Sequence, residues 1–278
     1  MSSSSASISG ANSILERIFA AKRVELEAER RSVPLEAVRD SVRRAPSPRD
    51  FAAALRRHRP AIIAEIKRAS PSKGDILPGL DPAAVARDYA DSGAAAISVL
   101  TDRHFQGSLE DLETVRSAVD LPLLRKDFFF DTYQIYQARA AGADCILLIA
   151  AMLTKEELAA LYGCAREAGL QVLVEVHDEI EMRAAIEVGA EIIGINNRDL
   201  HTFATDIATT ERLLEGYSGT ALTVAESGID TPDDIRRLDR AGARAFLIGE
   251  SLLRDGNPRG KLQSLCACLA ETVTASWR

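Results

Sequence analysis

Glu65 and Lys67 interrupt an otherwise apolar run in AIIAEIKRASPSKGDI, residues 61–76. Residues two apart on a strand share a face, so this carboxylate and ammonium project together while Ile66 points the other way. Similar groups close other apolar runs: Lys126-Asp127 after Leu121–Leu124, Glu175 and His177 at the end of Val172–Val176, Asn196, Asn197 and Arg198 after Ile192–Ile195, and Glu226-Ser227 after Leu222–Ala225. A single charge of this kind reads equally well as a structural ion pair. Two lysines and three glutamates converging on one partly dry mouth would perturb one another's proton affinities, which is how acids and bases are tuned to work near neutral pH. Gly228 in AESGI and Gly249 in FLIGES follow the last two apolar runs and precede helix-start signals. Glycines there let backbone N–H groups approach phosphate oxygens, with the partial positive charge of a helix end behind them. In the Phe128-Phe129-Phe130 stretch, Phe128 lies nearest a run end and is the candidate ligand contact.

These residues need elements that carry them to one place. After Pro60 the chain repeats a unit of short β-rich run, loop with a capping residue, amphipathic helix and glycine. The runs are Ile62–Ile66, Ala96–Leu100, Leu121–Leu124, Cys145–Ile149, Val172–Val176, Ile192–Ile195, Leu222–Ala225 and Ala245–Ile248. Helix starts are expected at Asp81-Pro82, Ser108, Thr154, Asp178 and Thr231, and helix ends at Gly93, Gly142, Gly169, Gly189 and Gly242. Eight such units in roughly 220 residues predict an α/β fold, the eight-stranded parallel (β/α)8 TIM barrel. An open doubly wound sheet is the structural rival, but the G-x-G-x-x-G turn it usually carries after its first strand is absent. In a barrel the C-terminal strand ends share one face, where these charged and amide groups collect. Helical spacing from Ser13 to Arg31, then further helix broken by Pro34, Pro46 and Pro48, predicts a helical N-terminal extension over residues 13–59 packed on the barrel of residues 60–278, with residues 1–12 a disordered tail.

Composition narrows the partners. Acids and bases are interleaved at a net charge of −7, so no basic stripe points to nucleic acid or a membrane surface, and a small anionic ligand held by local cations is expected instead. The apolar runs are too short to cross a bilayer, and the serine-rich start lacks a secretory pattern, so a cytoplasmic protein is expected. Cys145, Cys164, Cys266 and Cys268 have no metal-like spacing, and His58, His104 and His201 have no ligand spacing with them, so no metal is expected. His177, at a helix entrance, reads as a capping or solvated residue.

AEIKRASPSKGDI, SVLTDRHFQGSLEDL, LPLLRKDFFFDTYQIYQARAAGADCILLI, VEVHDEIEMRAA, IGINNRDLHTF, AESGI and FLIGESLL, in this order, resemble the indole-3-glycerol phosphate synthases of tryptophan biosynthesis, from about Ile14 to the final helix. The resemblance implies a lyase that closes the ring of 1-(2-carboxyphenylamino)-1-deoxyribulose 5-phosphate, with loss of carbon dioxide and water, as a monomer without cofactor or metal. It implies Lys126 as the general acid of ring closure, Glu175 for proton transfer in dehydration, Lys67 on substrate anionic groups, and Glu65 tuning the lysines while available for proton transfer. Asn196 and Arg198 would orient the substrate, Glu226 would meet a substrate hydroxyl or stand behind the lysine, and Ser70, Ser227, Gly228, Gly249 and the Glu250 backbone would hold the phosphate and ribulose side. A lysine suits the acid role if burial beside other cations lowers its pKa. The Glu250 side chain, repulsive to phosphate, is expected to turn away. The rival readings are another phosphosugar barrel enzyme, such as a phosphoribosylanthranilate isomerase, and a non-catalytic sensor of a phosphorylated ligand. The E-x-K-x-x-S-P-S stretch favours the synthase over the isomerase, and the intact set of Glu65, Lys67, Lys126, Glu175 and Asn196 argues against the sensor.

Overall fold

The eight apolar runs form eight parallel strands, β1 (Ala61–Ile66), β4 (Ala96–Leu100), β5 (Leu123–Lys126), β6 (Cys145–Ile149), β7 (Gln171–Val176), β8 (Ile192–Asn196), β9 (Leu222–Glu226) and β10 (Ala245–Ile248). They pair in chain order and close where β1 meets β10, with Ile63 opposite Leu247. This computed structural model describes residues 14–70, 74–77, 79–200, 202–254 and 256–269; the tail expected at residues 1–12 lies outside them. Alternation along each strand sorts the side chains: on β1, Ile62, Ala64 and Ile66 pack outward against helices, while Ala61 and Ile63 fill the barrel with Leu124, Leu147, Leu173, Val224 and Leu247. Continuing that inward row by two residues brings Glu65 to the mouth.

Between the strands run α4 (Pro82–Asp91), α5 (Leu109–Ala118), α6 (Thr132–Ala140), α7 (Lys155–Glu167), α8 (Glu179–Glu187), α9 (Ala208–Leu214) and α10 (Pro232–Ala241), followed by α11 (Glu250–Leu253) and α12 (Pro258–Ala267). Ser108, Thr154 and Thr231 cap their helices in reciprocal capping boxes, and Asp81 and Asp178 accept from first-turn N–H groups. A further box, Asp131 with Gln134, starts α6 straight after Phe128-Phe129-Phe130 and is not among the helix starts expected from sequence. A short hairpin, β2 (Ala69–Ser70) with β3 (Gly74–Asp75), is also unforeseen.

The strand bounds carry one functional correction. The third strand lies two residues later than the apolar run, and the sixth and seventh run one residue further than theirs. Lys126, Asn196 and Glu226 are therefore the last residues of strands rather than loop residues, fixed by ladder hydrogen bonds in the registers Leu100–Lys126 and Asn196–Glu226.

Ahead of the barrel lie α1 (Ile14–Ser32), α2 (Leu35–Arg44) and α3 (Phe51–Arg57). Asp144 accepts from the Arg49 and Leu123 backbone N–H groups, both at 2.7 Å, and from Arg116 at 2.9 Å, tying the extension to the strand-entry face. At the opposite face Lys22 of α1 is buried, with Nζ 2.7 Å from Asp127 and 3.1 Å from Asp102. Burial works against a charged Asp127, but Arg125 and Lys22 outweigh it and hold its pKa below the ordinary value. Removing one partner from such a group leaves charge uncompensated, so Lys22→Met is expected to cost about 3 kcal/mol and lower Tm by roughly 6–12 °C. Thermal melts of the two proteins check this; an unchanged Tm would mean that α1 is held by its apolar contacts alone.

Candidate active site

Strand ends β1, β5, β7, β8, β9 and β10 open into a cavity of about 410 Å³. Glu65, Lys67, Lys126, Phe128, Glu175, Asn196, Arg198, Ser227, Gly228, Gly249 and Glu250 all line it. Ser70 lies in β2 beside it in sequence, and its side chain is outside the described residues. Glu226 sits one layer down, fully buried beneath Lys126.

The centre of the arrangement is the Lys126 ammonium. It donates to Glu226 Oε2 at 2.8 Å and lies 3.5 Å from Glu65 Oε2 and 4.0 Å from Glu175 Oε2, so carboxylates from β9, β1 and β7 surround it. Lys67 Nζ meets the other Glu65 oxygen at 2.9 Å. Burial alone would drive the proton off Lys126, yet the attraction of Glu226, Glu65 and Glu175 outweighs it, and the pKa is raised well above the ordinary lysine value. The expectation of a lysine made acidic by neighbouring cations is thus corrected, because its nearest partners are anions from three other strands. Glu65 is shifted the opposite way: burial disfavours its charge, but Lys67 and Lys126 lower its pKa. Glu226 is pushed up to about 7, since burial, with Glu175 and Glu65 nearby, exceeds the pull of Lys126. One oxygen of Glu226, Oε1, is buried without a hydrogen-bond partner.

That oxygen occupies space left by a missing side chain. A Cβ on Gly194 of β8 would lie 2.1 Å from Glu226 Oε1, and one on Gly249 would lie 2.4 Å from Glu65 Oε1. Both glycines therefore make room for the carboxylates that hold Lys126. Gly194→Ala should push Glu226 and its lysine off position, and displacements of about 1 Å at reacting groups cost on the order of 100-fold in rate. The expected result is a kcat/KM near one-hundredth of wild type in a folded protein; a wild-type value would show that the Glu226 position is irrelevant.

The remaining wall is apolar and partly built by the extension. Phe128 meets Phe19 of α1 edge-on, centroids 6.2 Å apart at 71°, and Phe105 at 6.4 Å, and Ile18 reaches the cavity itself. Sequence reasoning missed Ile18, Asp102, Phe105 and Arg254, all of which line the cavity. Asp102 and Phe105, just past the second run, carried a readable signal, whereas Ile18 lies on a helix whose docking site no local pattern fixes. Arg198 lines the cavity and has no ion-pair partner among the described residues. Asn196 Oδ1 accepts from the Arg198 N–H at 3.1 Å and so sets the start of that loop.

On the β9–β10 side, Ser227 and Gly228 are consecutive left-handed residues, φ 65° and 76°, and turn the chain sharply after Glu226. A side chain at Gly228 would also meet Thr205 at 2.6 Å. Asn197 donates to the Ser227 carbonyl at 3.1 Å and accepts from Thr210, which marks it as a strut between two loops. Glu250 lines the cavity, and Arg254, one helical turn on, meets its carboxylate at 3.3 Å and offsets its charge. His177 departs from the sequence reading. It is largely buried, with Nδ1 2.9 Å from Glu181 and Nε2 3.5 Å from Glu175 Oε1, and neither caps a helix nor faces solvent.

Among the described residues no group of three or more His, Cys, Asp or Glu side chains is arranged to hold a metal, and no helix is long and apolar enough to cross a membrane. The arrangement as a whole offers proton donors and acceptors around an apolar slot, with cations and backbone turns at its edges.

A family model described as indole-3-glycerol phosphate synthase matches residues 15–265. The chain is 52% identical over 264 residues to the indole-3-glycerol phosphate synthase of Roseiflexus sp. (strain RS-1), covering 91% of this chain and 98% of that protein. It is 48% identical over 260 residues to the enzyme of the same name from Laribacter hongkongensis (strain HLHK9), covering 91% and 99%. Among solved structures, 3-hexulose-6-phosphate synthase from Salmonella typhimurium superposes with a TM-score of 0.62 at 14% identity, over 76% of this chain and 99% of that one. Thiamine phosphate pyrophosphorylase from Pyrococcus furiosus gives 0.59 at 16%, over 78% and 98%. These two likenesses concern the fold alone.

Proposed function

The chain belongs to the indole-3-glycerol phosphate synthase family, and from that premise we propose how its barrel mouth divides the work. It is a carboxy-lyase of tryptophan biosynthesis that converts 1-(2-carboxyphenylamino)-1-deoxyribulose 5-phosphate into indole-3-glycerol phosphate, carbon dioxide and water. The observation that carries the assignment of roles is the Lys126 ammonium, ringed by Glu226, Glu65 and Glu175 at the floor of an apolar slot.

The anthranilate ring lies against Phe128, and its carboxylate and the sugar's anionic groups are met by Lys67 and Arg198. Asn196 orients the sugar. The phosphate is held by the turns at Ser227-Gly228 and Gly249 and the Glu250 N–H, where backbone donors collect, with Ser70 as a further contact. As the ring carbon attacks the ribulose carbonyl, Lys126 donates a proton to the carbonyl oxygen, and Glu226, buried out of the substrate's reach, fixes the lysine from beneath. The carbon–carbon bond to the carboxylate then breaks, its electron pair returns to the positively charged ring system, and carbon dioxide leaves. Finally the new hydroxyl departs as water and a proton leaves the neighbouring carbon, with Glu175 and Glu65 available for these transfers. Every step is a proton transfer or a bond cleavage within the substrate, so the reading includes no cofactor and no metal. It has the enzyme acting as a monomer in the cytoplasm.

The test is direct. Purified protein in chelator-treated buffer is mixed with the carboxyphenylamino-deoxyribulose phosphate while indole fluorescence is followed, and phosphoribosylanthranilate is offered in parallel. Indole formation with no isomerisation is expected; binding without turnover would favour the sensor reading.

A further inference from the structure

The reaction does not balance in protons within the substrate. The carboxylate is ionised at neutral pH and leaves as neutral carbon dioxide. Ring closure puts a proton on the carbonyl oxygen, dehydration puts a second on the departing hydroxyl, and only one returns, from the methylene carbon between the nitrogen and the carbon that loses the hydroxyl. Each turnover therefore consumes one proton from the medium, at a moment when substrate fills the mouth. A group behind the catalytic carboxylates that stores a proton would meet this need.

His177 occupies such a position. It follows β7 directly, and Glu181 of α8 clamps it twice, accepting from its backbone N–H at 2.8 Å and meeting Nδ1 at 2.9 Å. Nδ1 is therefore the protonated nitrogen of the neutral ring. The other nitrogen, Nε2, is buried, makes no hydrogen bond, and lies 3.5 Å from Glu175 Oε1. In the neutral ring a lone pair would face a carboxylate oxygen; in the imidazolium an N–H does. Glu226 of β9 adds a third negative neighbour, and Lys126 of β5 lies beyond Glu175 at 4.0 Å from its other oxygen. Burial disfavours the charged ring, but Glu181, Glu175 and Glu226 outweigh it and raise the pKa above the ordinary histidine value.

Resting on the synthase reading above, we propose that His177 is a positioning residue that acts through Glu175: as an imidazolium held by Glu181, it keeps a proton on Nε2 and passes it to Glu175 during turnover. In that step the Nε2–H bond breaks and the Glu175 O–H bond forms, leaving a neutral ring protonated on Nδ1. Glu175 passes the proton on to the departing hydroxyl. After product leaves, water re-enters the mouth and recharges Nε2 through Glu175.

Activity then depends on His177 being protonated, so it is lost as pH rises through the histidine pKa. His177→Asn keeps an N–H for Glu181 but cannot store a proton. Its kcat is expected to fall about 10- to 100-fold with KM within about threefold, and the alkaline limb set by the histidine should vanish from the pH profile. Glu181→Gln keeps the ring but removes its negative partner, so the alkaline limb should move to lower pH. His177→Ala should regain part of its kcat when imidazole is added. A kcat loss that is uniform with pH and indifferent to imidazole would overturn the proposal in favour of a packing role, as would a wild-type profile in His177→Asn. Wild-type protein that fails to turn over at all would overturn the synthase reading and this proposal together.

Discussion

Lys126→Met is expected to bind the substrate within about tenfold of wild type and to form indole at least 10³-fold more slowly. The side chain is removed from the meeting point of three carboxylates, at 2.8, 3.5 and 4.0 Å, and no other described ammonium replaces it there, because Lys67 is engaged on the outer oxygen of Glu65. A positioned general acid contributes about 10²–10⁴-fold, and the upper part of that range applies because methionine also removes the positive charge that the developing alkoxide would meet. The variant carries a second signature. With the ammonium gone, Glu226, whose pKa is already about 7, should hold its proton more strongly. An acid whose folded-state pKa lies above its unfolded value binds more protons when folded, so stability falls as pH rises between the two values. Lys126→Met should therefore lose more stability at pH 8 than at pH 6, measured by denaturant titration; equal losses would mean that Glu226 is not the group that responds.

Glu175→Gln should reduce kcat by about 10²–10³-fold with little change in KM, since the amide keeps the shape of the side chain but cannot carry a proton. The carboxylate is buried, with one oxygen toward Lys126 and the other toward His177. It is thus placed to serve the later proton transfers while Lys126 serves the first. The distinguishing result is what accumulates. Glu175→Gln should still close the ring and release carbon dioxide, leaving a hydroxylated indoline, whereas Lys126→Met should accumulate nothing beyond bound substrate.

Much of this architecture is legible in sequence because its physical signals are local. Alternation and run length give the strands, capping residues such as Ser108 and Thr231 give the helix starts, and the count of eight gives closure. The strand ends that carry charge follow from the same pattern, which is why Glu65, Lys126, Glu175 and Asn196 are found together as expected. What sequence does not carry is relative placement across the barrel. That Lys126 would be caged by anions depends on β9, β1 and β7 delivering carboxylates to one point, and that Gly194 makes room for Glu226 depends on β8 and β9 lying side by side. The same holds for Lys22, whose partners Asp102 and Asp127 are remote along the chain. The place of His177 is not legible in sequence because its partner, Glu181, lies one turn along a helix, and the geometry of the preceding loop decides whether such a pair forms.

The most direct test of the central claim is a single-turnover quench experiment in which excess enzyme is mixed with substrate and the quenched products are identified by mass. Wild type should pass from substrate to indole-3-glycerol phosphate, Lys126→Met should show substrate only, and Glu175→Gln should show a species lighter than substrate by one carbon dioxide and still holding its hydroxyl. Indole product from Lys126→Met at the wild-type rate, or the decarboxylated species from that variant, would contradict the assignment of the first proton to Lys126.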